Sequence, residues 1–191
     1  YVNNLWADSL FWDFGDGDSA LNNNPQAHLY DSIGIYNAIK ATSKFMNSSD
    51  SLDGMYISIS GIGKVGSKLA KLLINDNVHL IIADIDRLAL NTLKKEIPCT
   101  EVEVTEIHKA NCNIFSPCAL GSIINASTRR QLRCNAIVGS ANNQLDNTET
   151  DKWLFENNIV YAPDYLVNSG GVIAISAEIY DTLDKVDEQL E

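Results

Sequence analysis

From residue 55 onward the apolar positions switch repeatedly between two periods. The run over 55–60, centred on Tyr56-Ile57-Ser58-Ile59, has strand spacing. Val65, Leu69, Leu72 and Leu73 then fall on one face of a helix over about 64–75. A second β-prone run, His79-Leu80-Ile81-Ile82-Ala83, predicts a strand over about 79–84, followed by a helix over about 87–96. Short apolar segments recur at 101–104, 113–115, 136–139 and 159–162, with helical stretches predicted between them at about 121–132 and 149–157. Strands alternating with helices predict an α/β fold: a doubly wound, mostly parallel sheet with helices on both faces.

The flanks read differently. Ile33, Ile35, Tyr36, Ile39 and Phe45 predict a helix over 32–46. Residues 1–31 carry aromatic, acidic and Asn/Gly/Pro-rich stretches and predict an irregular lead-in, a remnant of an inter-domain region. Asp13, Asp16 and Asp18 supply too few ligands at a defined spacing for a calcium loop and read as solvated acids. Residues 32–175 form the expected domain. Residues 176–191 begin a helix, running from Val172 toward Leu190, that leads away from it.

Composition narrows the function. The formal net charge is -11, and Arg129-Arg130 is the densest basic pair, so phosphate-backbone or anionic-membrane binding is not expected. Cys99, Cys112, Cys118 and Cys134 lack zinc spacing and suit a reducing, cytoplasmic compartment. There is no apolar run of transmembrane length and no signal-peptide pattern. The start at Tyr1 and the mid-helix character of the last residues suggest a fragment or an excised domain.

The first strand ends in Gly61-x-Gly63-x-x-Gly66, with Ile62, Lys64 and Val65 filling the loop and the first helical turn. Gly61 allows a tight turn, Gly63 lets backbone approach a pyrophosphate, and Gly66 lets the helix pack close to the strand, the arrangement of a Rossmann-type dinucleotide site. The helix N-terminus favours the phosphates. The second strand ends at Asp84, 18 residues after Gly66. A carboxylate there accepts ribose hydroxyls and repels a 2′-phosphate, which favours NAD as the cofactor over NADP. Arg87 nearby works partly against that preference. Asp86 reads as a helix cap or an exposed neighbour.

Three later segments carry a family resemblance. Asn113-Ile114-Phe115-Ser116-Pro117-Cys118-Ala119-Leu120-Gly121 resembles the strand and turn under the cofactor in the Glu/Leu/Phe/Val dehydrogenase family, in its leucine/phenylalanine/valine branch. Gly139-Ser140-Ala141-Asn142-Asn143-Gln144-Leu145 resembles the loop near the nicotinamide ribose, and Pro163-Asp164-Tyr165-Leu166-Val167-Asn168-Ser169-Gly170-Gly171-Val172 resembles the inter-domain segment. The resemblance implies cofactor contacts at Cys118, Ala119, Leu120 and Asn142, and a contact from Asn168 to the amino-acid carboxylate or the nicotinamide region. It implies NAD-dependent oxidative deamination of a branched-chain or aromatic L-amino acid, and a homo-oligomer in the full-length protein. The family's proton-handling lysine lies in a Gly-Gly-Gly-Lys motif that this sequence lacks, so no catalytic residue is assigned here. Asp31 stands where the family carries a cofactor-contacting threonine, which raises the alternative of a non-catalytic dinucleotide-binding module. A glutamate dehydrogenase relative is the third reading, against which the Asn-Asn-Gln loop argues.

Overall fold

The computed structural model describes residues 27–119 and 121–168, with side chains from Asp31 onward. In chain order the main elements are α1 (Ala27–Asn47), β1 (Tyr56–Ser60), α2 (Lys64–Leu73), β2 (His79–Ala83), α3 (Arg87–Glu96), β3 (Thr100–Glu101), β4 (Ile114–Pro117), β5 (Ala136–Ile137), α4 (Thr148–Glu156), β6 (Val160–Tyr161) and α5 (Asp164–Val167). The six strands form one sheet in the order β3-β2-β1-β4-β5-β6, and each pair is parallel. The chain winds outward from β1 to β3, then returns to place β4 on the other side of β1. Between β1 and β4 the strand order reverses, the point at which open parallel sheets hold their ligands.

Strand alternation divides the core in two. Ile57, Ile59, Leu80, Ile82, Ile114, Ala136 and Val138 join Ile35 and Ile39 of α1, Leu69 and Leu73 of α2, Leu90 and Leu93 of α3, and Val167 of α5. Their sequence neighbours Ala83, Phe115 and Ile137 belong to a second cluster with Ile107, Ile124 and Leu154 of α4. Side chains of period two thus feed opposite faces of a sheet covered on both sides, and the doubly wound expectation holds. Where a polar residue of β1 meets the second face, it is satisfied: the Oγ of fully buried Ser58 lies 3.2 Å from the Cys112 Sγ.

Helix ends follow local chemistry. Asp86 caps α3, its Oδ1 accepting from the amides of Leu88 at 2.8 Å and Ala89 at 3.1 Å, so the cap reading of this residue is correct. Asn147 caps α4 by accepting from the Thr150 amide at 3.0 Å. The lead-in expected to be irregular up to residue 31 is helical from Ala27. Residues 1–26 and the helix expected beyond Val172 lie outside the described residues.

One predicted element is absent. The helix expected over about 121–132 is a series of turns, with a parallel bridge from Ile124 to Leu145 and a 3-10 turn at Arg129–Gln131. The Asn125 Oδ1 accepts from the amides of Ser127 at 3.0 Å and Thr128 at 3.2 Å, and the Thr128 Oγ1 donates to the Ile123 carbonyl at 2.6 Å. Short polar side chains capture the backbone groups that a helix would use. The apolar period of this segment comes from residues that pack singly against the second core.

Phe115 is the largest fully buried side chain of that second core. Its replacement by Ala is expected to lower the unfolding free energy by about 3–5 kcal/mol in denaturant titration. A loss under about 1 kcal/mol would place Phe115 outside a close-packed core.

Candidate cofactor-binding site

The turn after β1 is built by close approach. Gly61 has φ +100 and its amide donates to the Ala83 carbonyl at 2.8 Å, tying the loop to the end of β2. A Cβ on Gly61 would stand 2.7 Å from the Ala119 Cβ, and one on Gly66 would stand 2.0 Å from the Gly61 carbonyl oxygen. Both positions require glycine, one for conformation and contact, the other for contact alone. Gly63 differs, because a Cβ there meets no atom of the described residues within 4 Å. No neighbour among the described residues demands glycine there. Its open backbone, at the uncapped start of α2, is the surface that a phosphate needs to reach. Beside it a groove of about 410 Å³ opens between α2 and α3, bordered by Gly63, Lys64, Ser67, Asp86 and Leu88. Ile62 turns its side chain into the core and is 2% exposed, so it contributes backbone to the loop.

Asp84 has a second task beyond the one its position predicts. Its Oδ2 accepts from the Ile62 amide at 2.5 Å and its Oδ1 from the Asp86 amide at 2.8 Å. The carboxylate clamps the glycine loop to the chain leaving β2, and each oxygen retains a lone pair for a further donor. Arg87, a candidate partner for a 2′-phosphate, points its Nη1 to Glu101 and its Nη2 to Glu103 at 3.4 Å. Lys94 also reaches Glu101, at 2.7 Å, and its hydrogen bond holds that carboxyl below the usual range.

The turn after β4 lies against this loop. The Cys118 amide donates to the Ser60 carbonyl at 2.7 Å, and the Cys118 Sγ lies 3.4 Å from the Ser116 Oγ. Cys118 and Ala119 therefore come to the glycine turn, as expected; Leu120 lies outside the described residues. None of the four cysteines is in a disulfide. The next turn along follows the same rule: a Cβ on Gly139 would stand 2.2 Å from the Pro117 carbonyl oxygen, and the Ala141 amide donates to that oxygen at 2.9 Å.

Asn142 and Asn168, predicted separately, are in direct contact. The Nδ2 of Asn168 donates to the Asn142 Oδ1 at 3.0 Å and to the Ser140 carbonyl at 2.9 Å. Asn168 is 5% exposed, and its Oδ1 is buried without a protein donor. Two further residues hold this arrangement and had no role in the sequence reading. Fully buried Gln144 donates from Nε2 to the Gly139 carbonyl at 2.7 Å, and Asp164 accepts from the Asn143 amide. The signal for Asp164 was its place as the first residue of α5, directly after Pro163, where a carboxylate is favoured.

Asp31 is buried in α1, 8% exposed. The neighbouring Ser32 donates from Oγ to the Val65 carbonyl at 3.2 Å, joining α1 to the first turn of α2. Lys68 lies one turn further along α2. Burial pulls the Lys68 ammonium below the usual lysine value, the Asp31 carboxylate opposes that shift, and Lys64 adds to it.

Strand order, helices on both faces and a glycine turn at the switch point define a Rossmann-type α/β domain. Residues 82–190, more than half of the chain, match the family model described as glutamate/leucine/phenylalanine/valine dehydrogenase, and the chain belongs to that family. Phenylalanine dehydrogenase of Thermoactinomyces intermedius is 41% identical over 167 residues, 86% of this chain and 43% of that protein. Leucine dehydrogenase of Bacillus subtilis (strain 168) is 38% identical over 147 residues, 77% of this chain and 40% of that protein. The chain thus spans under half the length of these relatives. The crystal structure of L-tryptophan dehydrogenase from Nostoc punctiforme superposes with a TM-score of 0.80 at 35% identity, covering 84% of this chain and 51% of that one. A glutamate dehydrogenase of Thermus thermophilus, at 19% identity and a TM-score of 0.66, shares the fold.

Asp84→Ala removes the acceptor for two backbone amides. It is expected to destabilise the chain by about 1–3 kcal/mol in thermal or denaturant unfolding. Unchanged stability would show that the clamp contributes nothing to the loop.

Proposed function

We propose that this chain is the cofactor-binding part of an NAD-dependent L-amino-acid dehydrogenase that deaminates a branched-chain or aromatic L-amino acid to the 2-oxo acid, with NADH and ammonia as co-products. The observation that carries the reading is the open backbone of Gly63 at the uncapped start of α2, flanked by two glycines that packing alone requires. The residues fit a dinucleotide. Gly61, Ile62, Gly63, Lys64, Val65 and Gly66 form the phosphate cradle, with the helix N-terminus supplying amides. Asp84 accepts the adenosine ribose hydroxyls while keeping hold of the loop. Ile85, 85% exposed beside it, offers apolar area to the purine ring. Cys118 and Ala119 line the turn beneath the cofactor, the family resemblance adds Leu120, and Asn142 binds the nicotinamide ribose.

NAD rather than NADP follows from two features. Asp84 repels a 2′-phosphate, and Arg87 is already engaged by Glu101 and Glu103. The cofactor, when bound, accepts the hydride. This chain's own groups bind and orient it, and the buried Asn168 Oδ1 presents an acceptor beside Asn142 to the amino-acid or nicotinamide amide side of the cleft. No residue of this chain moves a proton in the reaction. That work falls to a lysine and an aspartate of the family's other domain, and we read the chain as a lead-in over residues 1–31, an NAD-binding domain over 32–175 and the start of a helix toward the catalytic domain over 176–191. The full-length protein works in the cytoplasm as a homo-oligomer. Among the described residues no helix is long and apolar enough to cross a membrane.

Relatives at 38–41% identity are phenylalanine and leucine dehydrogenases, which supports this reading over a glutamate dehydrogenase. A binding module without catalysis draws on Asp31, which stands where the family carries a cofactor-contacting threonine.

Titration of the chain with NADH and NADPH, alongside Gly63→Ala, tests the reading. The wild type is expected to saturate with NADH and to bind NADPH at least tenfold more weakly. Gly63→Ala is expected to keep its stability to within about 1 kcal/mol, because no neighbour is struck, yet to lose most NADH affinity. Saturation of the variant equal to that of the wild type would remove Gly63 from the site. Failure of the wild type to bind either cofactor would overturn the proposal.

A further inference from the structure

Asn142 lies between β5 and α4, outside any helix or strand, and a single turn of α5 supports it. Asp164 and Asn168 are four residues apart in sequence, and the Asn168 amide donates to the Asp164 carbonyl at 2.8 Å, so both side chains share one face of that turn. The face grips the loop at both of its ends. At the first, the Asp164 Oδ2 accepts from the Asn143 amide while its Oδ1 accepts from the Tyr165 amide at 2.9 Å. At the second, the Asn168 Nδ2 donates to the Ser140 carbonyl at 2.9 Å and to the Asn142 Oδ1 at 3.0 Å. A carbonyl only accepts, so Ser140 fixes which way the Asn168 amide is turned. The second N–H of Asn168 then fixes the Asn142 oxygen toward α5, and the Asn142 nitrogen is the end turned away from it. Asn143 makes the Asp164 contact count. At φ +50 its backbone is in the left-handed region, one residue past Asn142. Its carbonyl accepts from the Ser122 amide at 2.6 Å, and its amide, part of the peptide that follows Asn142, is held by Asp164.

We propose that Asp164 is a positioning residue for the nicotinamide half of the cofactor: by holding the Asn143 amide it sets the peptide that follows Asn142, and so places the Asn142 side chain against the nicotinamide ribose. The inference rests on the dinucleotide reading above and adds to it a determinant from the start of α5. Asp164 does not itself touch the cofactor in this arrangement. Its effect passes through Asn142, so it is confined to ligands that possess a nicotinamide ribose. The adenosine and diphosphate half rests on the turn after β1, which is held by its own bonds to the Ala83 carbonyl and the Asp84 carboxylate.

The test compares dissociation constants for NADH and for ADP, which lacks the nicotinamide ribose, on the 191-residue chain carrying Asp164→Ala, Asn142→Ala or both. Asp164→Ala is expected to weaken NADH about tenfold, the upper end of what one lost hydrogen bond to the ligand gives, and to leave ADP within about twofold of the wild type. Asn142→Ala is expected to show the same pattern. In the Asn142→Ala background, adding Asp164→Ala is expected to change NADH affinity by less than about twofold, because the group it positions is already gone. A purely structural carboxylate would weaken NADH and ADP together, or would weaken NADH equally with and without Asn142. Either result, or wild-type NADH affinity in Asp164→Ala, would overturn the inference while leaving the cofactor site intact. Should Asp164→Ala fail to fold, Asp164→Asn takes its place, since its amide keeps one acceptor oxygen where the carboxylate serves two N–H groups. It is expected to weaken NADH about threefold with ADP unchanged, and an equal loss of both ligands, or no loss, would overturn the inference. Wild-type NADH affinity in Asn142→Ala would remove Asn142 from the site, and failure of the wild type to bind NADH would overturn the dinucleotide reading itself. The inference falls in both cases.

Discussion

The carboxyl edge of the sheet depends on how closely the turn after β1 approaches the turn after β4. A methyl group at Gly61 would overlap Ala119, and one at Gly66 would overlap the Gly61 carbonyl. The approach is possible because β1 and β4 are parallel neighbours at the reversal of strand order, so both chains leave the sheet at the same edge. The same rule is repeated one strand further, where Gly139 lies against the Pro117 carbonyl. Three successive turns are thus stacked with no room for side chains between them. Asp84 then locks the first turn to the exit from β2 through two backbone amides.

Gly63 is the exception along this edge. Its neighbours on either side of the motif are glycines because protein atoms press on them, whereas among the described residues Gly63 faces open space. An approaching anion is the reason proposed for it. Asn142 and Asn168 extend the site along the edge toward β6. Their mutual hydrogen bond means that the loop after β5 and the end of α5 hold one another.

Much of this was legible in the sequence, and the exceptions have physical causes. The alternation from residue 55 to 96 located β1, α2, β2 and α3 to within a few residues, because each carries a long, regular apolar period and α3 has a capping Asp86. The strands β3, β5 and β6 are two residues each, too short for a period to define, and appeared only as apolar segments of four residues that contain β5 and β6 and overlap β3 at Glu101. The segment 121–132 misled, because periodicity cannot see that Asn125 and Thr128 bond their own backbone. In the site, glycine spacing and the terminal Asp84 were readable as a motif. The clamping of Ile62 by Asp84 was not, since it joins residues from different parts of the chain.

The claim on which the account stands is that a dinucleotide's phosphates rest on the backbone between Gly61 and Gly66. Amide hydrogen exchange across the chain, with and without saturating NADH, tests it most directly. The account predicts slowed exchange at the amides of residues 63–66 on binding, with the amides of Ile57 and Ile59 in the buried strand unchanged. Saturating NADH that leaves residues 63–66 untouched, or that protects only some other surface, would contradict it.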